Sequence, residues 1–278
     1  MNNHGIGSIG IFDSGIGGLS VLREIKKALP SEHFIYLADQ VHVPYGERSL
    51  EEVREYSKAI LRFLLDQGAG MIVVACNTAS AAALHYLRNE YPEVPIVGME
   101  PAVKPAAESS LTRKVGVLAT PATFQGALYT SVVERFAQDV KIFQHTCPGL
   151  VSQIENGEIE SMITRDILAS ALRPMLAEGI DTVVLGCTHY PLVMPLIHNI
   201  VGDEVRVIDP APAIARRVVN IMNTKALGFS EPGSKPVSYF TTGDPVGFER
   251  SILLFLQEKG MANQIFWILE DQSLKIKG

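Results

Sequence analysis

Two stretches of this chain echo each other and constrain its architecture. Asp181–Pro191 runs Val183, Val184, Leu185, Gly186 into Cys187, Thr188 and His189. Gly70–Ser80 runs Ile72, Val73, Val74, Ala75 into Cys76, Asn77 and Thr78. The two cysteines lie 111 residues apart. Val115–Thr120 matches Ile9–Ser14 at an offset of 106, and Asp209-Pro210-Ala211 follows Glu100-Pro101-Ala102 at 109. A short β-branched run is the mark of a strand buried on both faces, and ligands gather where parallel strands end. Three strand ends sharing nearly one offset indicate a duplicated α/β unit with a site assembled from both halves. Strands alternating with helices imply parallel sheets and right-handed crossovers. The expected fold is therefore α/β: two pseudo-symmetric parallel-sheet lobes with the active site in the cleft between them.

The intervening elements can be placed from pattern. A first strand over 8–13 leads into the Gly-rich turn Asp13–Gly18, and Leu22, Ile25 and Leu29 then recur at helical spacing until Pro30. Such a turn offers backbone N–H groups to an anion. The dinucleotide fingerprint is incomplete, because Ser20 replaces its third glycine. Phe34–Ala38 is a second strand, and Ser49 with Glu52 forms a capping box before Val53, Tyr56, Ile60 and Phe63. Pro95–Met99, Lys141–His145 and Tyr239–Thr242 read as further strands, and 224–236 as a loop. Asp244 and Pro245 start a last helix, and Ile265–Leu269, with the single tryptophan Trp267, reads as an edge strand or a docking surface. Return of the chain after Asp209 makes the first lobe discontinuous: residues 1–100 and 211–278, against 101–210 for the second.

Charge and cysteine usage exclude several functions. Twenty-four basic against thirty acidic residues, with no basic run, disfavour a nucleic-acid groove or a membrane-surface patch. No apolar run approaches the roughly 20 residues of a membrane helix, and the start of the chain has no signal-peptide pattern. Three cysteines without a C-x-x-C pair argue against a disulfide framework and for a cytoplasmic protein.

A lone cysteine at a strand end is usually a small core hydrophobe, and that is the expectation for Cys147. Cys76 and Cys187 differ, since polar residues follow each at once. Cys187 and His189 alone are too few for zinc. A Cys187/His189 nucleophile would make a hydrolase or transferase but leaves Cys76 idle. Two thiols on opposite faces of one bound molecule suit an acid/base pair, one removing a proton from a stereocentre and the other returning one.

Asp13–Gly18, Pro44-Tyr45-Gly46, Ala75–Ala79 and Gly186–Pro191 resemble, in order and in register, the signature set of the glutamate racemases. The similarity runs from Ile9 to about Leu256. That resemblance implies cofactor-independent, metal-free interconversion of L- and D-glutamate for peptidoglycan synthesis, in a homodimer. It implies that Cys76 takes the α-proton from D-glutamate and Cys187 from L-glutamate, with Asp13 assisting Cys76, His189 assisting Cys187, and Glu155 beside the second thiol. Substrate contacts are expected from Asp13, Ser14, Pro44, Tyr45, Gly46, Cys76, Asn77, Thr78, Thr120, Thr123, Cys187, Thr188 and His189. Three departures stand out: Gly126 where the family often has serine, the segment after Cys147-Pro148, where the family is more apolar and has a proline near Ser152 or Gln153, and the loop Gln40–Val43, whose His42 is expected to line the entrance or face solvent. An aspartate or hydantoin racemase is the alternative enzyme, and a binding protein that has lost turnover is the alternative class.

Overall fold

The computed structural model describes residues 7–225, 237–268 and 273–276. The N-terminal segment 1–6, positions 226–236 of the expected loop and Leu269 lie outside the described residues. Strands β1 (Ser8–Asp13), β2 (Phe34–Ala38), β3 (Ala69–Val74) and β4 (Ile96–Gly98) come first. Strands β5 (Lys114–Ala119), β6 (Lys141–His145), β7 (Thr182–Gly186) and β8 (Arg206–Ile208) follow. The chain then adds β9 (Ser238–Thr241), β10 (Ala262–Ile268) and β11 (Ser273–Ile276).

Two sheets result, in the orders β11-β10-β9-β2-β1-β3-β4 and β6-β5-β7-β8. Every pairing is parallel except the β10–β11 hairpin. The duplication is visible in the registers. Gly10 of β1 opposes Ile72 of β3, and Gly116 of β5 opposes Val183 of β7, reproducing the 106- and 111-residue offsets. Each central strand thus has its cysteine-terminated neighbour on the same side.

Both cysteines fall just beyond their strands rather than at the last strand residue. β3 stops at Val74 and β7 at Gly186, because the chain turns there to start the next helical element. Cys76 becomes the N-cap of helix Asn77–Glu90. The capping box forms at Ser49 and Glu52, and Asp244 accepts from Val246 and Gly247 N–H to start helix Pro245–Leu256.

The lobes share apolar contacts. One core cluster joins Ile9, Ile11 and Tyr36 of the first sheet to Leu118, Val183 and Leu185 of the second. Helix Ala211–Thr224 packs on helix Leu19–Ala28, the helix that follows β1. The strand carrying Trp267 is not the sheet edge, since β11 pairs antiparallel outside it. Trp267 points inward instead, and its indole N–H donates to buried Asp39 (2.8 Å). No helix among the described residues is long and apolar enough to cross a membrane.

Candidate functional site

Cys76 and Cys187 both line one narrow cavity of about 10 Å³ between the lobes. Ser14, Pro44, Tyr45, Gly46, Asn77, Thr78, Thr120, Thr188 and His189 share the lining, as does Val151. An adjoining cavity of about 180 Å³ has Pro44, Gly46, Thr120 and Val151 in common with it. Between the thiols there is therefore space for little more than one water.

The surroundings of the two thiols differ. Cys76 Sγ accepts from Ala79 N–H (3.4 Å) at the start of its helix and lies 4.0 Å from Ser14 Oγ. Burial, and then the charge of Asp13, pushes its pKa far above the ordinary thiol value, so it rests as the neutral thiol. Cys187 Sγ lies 3.8 Å from His189 Nδ1, and His189 Nε2 lies 2.6 Å from Glu155 Oε1. Burial disfavours charge on His189, but the contacts with Cys187 and Glu155 outweigh it and hold its pKa well above the usual imidazole value. Burial likewise opposes ionisation of Glu155, yet His189, Ile16 N–H and the Gln40 amide together bring its pKa below the usual carboxylate value. The result is a buried imidazolium–carboxylate pair with both imidazole N–H groups donating, one of them toward sulfur.

Asp13 is fully buried at the end of β1. Its carboxylate accepts from Gly15 N–H (2.8 Å) and from Thr188 Oγ1 of the other lobe (2.9 Å). It influences Cys76 through its charge, with Ser14 as the closer polar neighbour of that sulfur. Burial raises the Asp13 pKa, in part against the His189 charge.

The Gly-rich turn has a use that its pattern did not reveal. A Cβ on Gly15 would stand 1.9 Å from Glu155 Oε1, and one on Gly17 would stand 2.5 Å from His189 Nδ1. The turn lets the second lobe's polar groups approach its backbone, and the anion it receives is Glu155, through Ile16 N–H (2.8 Å). Ser20 belongs to the same contact: its hydroxyl lies 2.8 Å from Gly17 O and 3.2 Å from Thr188 O.

Among the expected anchoring groups, Thr78, Thr120 and Thr123 bond one another across the lobes, with Thr78–Thr120 and Thr120–Thr123 at 2.9 Å. Asn77 differs, since both of its side-chain polar atoms are buried without a hydrogen-bond partner. A buried amide with two unmet groups on a cavity wall is costly unless a ligand satisfies it. Tyr45 donates to Asp39 Oδ2 (2.6 Å), which fixes the 3-10 turn Tyr45–Glu47. At Gly126 a Cβ would meet Ala81 Cβ at 2.7 Å, so close approach of helix Asn77–Glu90 accounts for the missing serine.

Two expectations about neighbouring residues need correction or extension. His42 does not line the cavity between the thiols and is half-buried. It stacks on Tyr56 (4.0 Å between ring centres, 9° between planes) and bonds Asp39 Oδ2 (2.9 Å). Gln40, known from sequence only as part of an unusual loop, reaches Glu155 Oε2 (3.0 Å). Cys147 is the core thiol expected, 2% exposed, with burial pushing its pKa up to about 12.

Residues 9–218 match the model of the Asp/Glu/Hydantoin racemase family. The glutamate racemase of Ectopseudomonas mendocina is 47% identical over 255 residues, covering 92% of this chain and 97% of that protein. Among solved structures, glutamate racemase isoform RacE1 of Bacillus anthracis superposes with a TM-score of 0.83 at 32% identity, over 95% of this chain and 98% of that one. The glutamate racemase of Escherichia coli, solved with L-glutamate and the activator UDP-MurNAc-ala, gives 0.80 at 33% identity, over 98% and 99%.

Proposed function

The chain belongs to the Asp/Glu/Hydantoin racemase family, and we propose that it interconverts L- and D-glutamate by acid/base chemistry between two thiols, supplying D-glutamate for peptidoglycan. The observation that carries the mechanism is the placing of Cys76 and Cys187, one from each lobe, on the walls of a single cavity. A substrate held there has a sulfur on each side of its α-carbon. From L-glutamate, the Cys187 thiolate removes the α-proton and the Cys76 thiol delivers one to the opposite face; D-glutamate runs the same path backwards. One S–H bond forms as the other breaks, so no redox partner or organic cofactor enters the balance.

The surroundings fit these roles. Cys76 rests protonated, ready to act as the acid toward L-glutamate, and the start of its helix favours negative charge on sulfur once the proton leaves. On the other side, imidazolium His189 puts a positive charge beside Cys187, and Glu155 keeps that imidazole charged and oriented. Asp13 acts on Cys76 through its field. Substrate carboxylates are held by Asn77, whose amide is otherwise unsatisfied, with Ser14, Thr78, Thr120 and Thr188, with Thr123 bonded behind Thr120, and with Pro44, Tyr45 and Gly46 closing the wall. Neutral donors fixed in place before reaction stabilise carbanionic charge without the reorganisation that water would need.

Packing of helix Ala211–Thr224 on helix Leu19–Ala28 supports lobe borders near residues 100 and 211. The reading places the enzyme in the cytoplasm, as a homodimer. Incubation with L-glutamate in D2O tests it: optical rotation falls while deuterium enters Cα, and Cys76→Ala and Cys187→Ala each abolish the loss of rotation. A protein that leaves both enantiomers of glutamate unchanged, but racemises aspartate or a hydantoin, would transfer the mechanism to the alternative substrate.

A further inference from the structure

Gln40 is held at both ends of its side chain. Its Nε2 donates to Glu155 Oε2 (3.0 Å), and its Oε1 accepts from Thr241 Oγ1 (2.7 Å) at the end of β9. The orientation of the amide is fixed by chemistry. Thr241 Oγ1 accepts from Gly243 N–H (2.9 Å) and has its own proton to give to the amide oxygen that the Glu155 contact turns toward it. Glu155, ionised, only accepts, so the amide nitrogen faces it. The aliphatic part of Gln40 lies against Gly243, where a Cβ would come within 2.8 Å of Gln40 Cβ.

The bond crosses the cleft. Gln40 and Thr241 belong to the first sheet's strand ends, while Glu155 closes helix Leu150–Glu155 of the other lobe. Glu155 Oε1 is engaged by Ile16 N–H and by His189; among the described residues Gln40 is the partner of Oε2. Without that partner only the two bonds to Oε1 orient the carboxylate, so its plane can pivot about that oxygen and the line to His189 Nε2 is held less firmly. We propose that Gln40 is a positioning residue for the Cys187 half of the reaction, steering His189 through Glu155 and doing so only when the lobes are closed. The inference rests on the two-thiol reading above and assigns Gln40 to one thiol alone.

That one-sidedness is measurable. Racemisation has an equilibrium constant of one, so kcat/KM must fall equally in both directions and cannot by itself reveal the side. Isotope effects can. With [2-2H]-L-glutamate the Cys187 step breaks the labelled bond, and with [2-2H]-D-glutamate the Cys76 step does. The parent, Gln40→Leu and Thr241→Val are compared for kcat/KM, melting temperature and the primary isotope effect from each enantiomer. Gln40→Leu is expected to lose about tenfold in kcat/KM, the size of one charge-assisted hydrogen bond. Its isotope effect on kcat/KM should rise from the L side and fall from the D side, and Thr241→Val should move both in the same sense by less. An unchanged kcat/KM, equal changes from both sides, or a rise confined to the D side would each overturn the assignment. A parent that fails to racemise glutamate would instead remove the functional reading on which it stands.

Discussion

Cys76 caps a helix of 14 residues, whereas Cys187 leads into a single 3-10 turn and depends on a buried ion pair. The repeated sequence placed the sulfurs as equivalents, and the environments make them unlike. This has a consequence for Glu155, whose side chain is 9% exposed, and for His189, 2% exposed. The Glu155 pKa is lowered on folding, so its contribution to stability is present above the ordinary carboxylate value and lost as pH falls through its folded value. The His189 pKa is raised, so its contribution is complete below the ordinary imidazole value and lost as pH rises through its folded value. The pair therefore stabilises between those two folded values. Glu155→Gln leaves an unpaired buried cation and is expected to cost about 3 kcal/mol near neutral pH in urea unfolding, with kcat falling too. The loss should shrink in alkali, where His189 gives up its proton. Asp13 has the opposite sign, because burial raises its pKa and ionising it in the folded state is unfavourable. Asp13→Asn is expected to melt higher than the parent at pH above the Asp13 folded value while losing activity. That gain fades as pH falls toward the ordinary carboxylate range, and thermal melts across pH read it directly.

At the scale of elements, the strands were readable because their signal is local. Short apolar runs gave β1 to β7 and β9 to within about two residues. The caps at Ser49 and Asp244 were readable for the same reason. The thiols and His189 were legible because each stands beside a strand end. What stayed hidden depends on pairings between residues far apart. Ser20 looked like a missing glycine, yet it meets Thr188. Gln40 meets Glu155 115 positions away, and Trp267 meets Asp39 across 228. The hairpin that carries Trp267 thus braces the Tyr45 turn, since Asp39 also receives Tyr45, His42 and Thr242. Trp267→Phe keeps the ring and removes one donor from a buried carboxylate. The expected loss is about 1–2 kcal/mol in unfolding free energy, with a raised KM for glutamate as the turn loosens.

For the whole molecule, the narrow cavity of about 10 Å³ cannot receive glutamate, so the lobes must separate to bind and close again to react. Closure assembles the chemistry as well as excluding water. Thr188 reaches Asp13, Ile16 N–H reaches Glu155, and Thr78 reaches Thr120 only across the gap. Gly46 marks a tight point of that approach, where an added Cβ would stand 2.5 Å from Thr120 Cβ. Thr120 Cβ is tied to its backbone and cannot swing aside, so Gly46→Ala acts as a wedge between lobes rather than as a defect inside one. Each lobe keeps its own sheet, and Gly46 and Thr120 lie outside the apolar cluster that the two sheets share, so the melting temperature is expected to stay near that of the parent. Activity should not stay near it: a displacement of about 1 Å between the two thiols is enough for a hundredfold loss in kcat. Solution scattering separates this from local damage at the turn, because the variant saturated with glutamate should stay wider than the saturated parent. Equal dimensions of the two saturated proteins would place the Gly46 effect inside one lobe and leave closure without the role assigned to it.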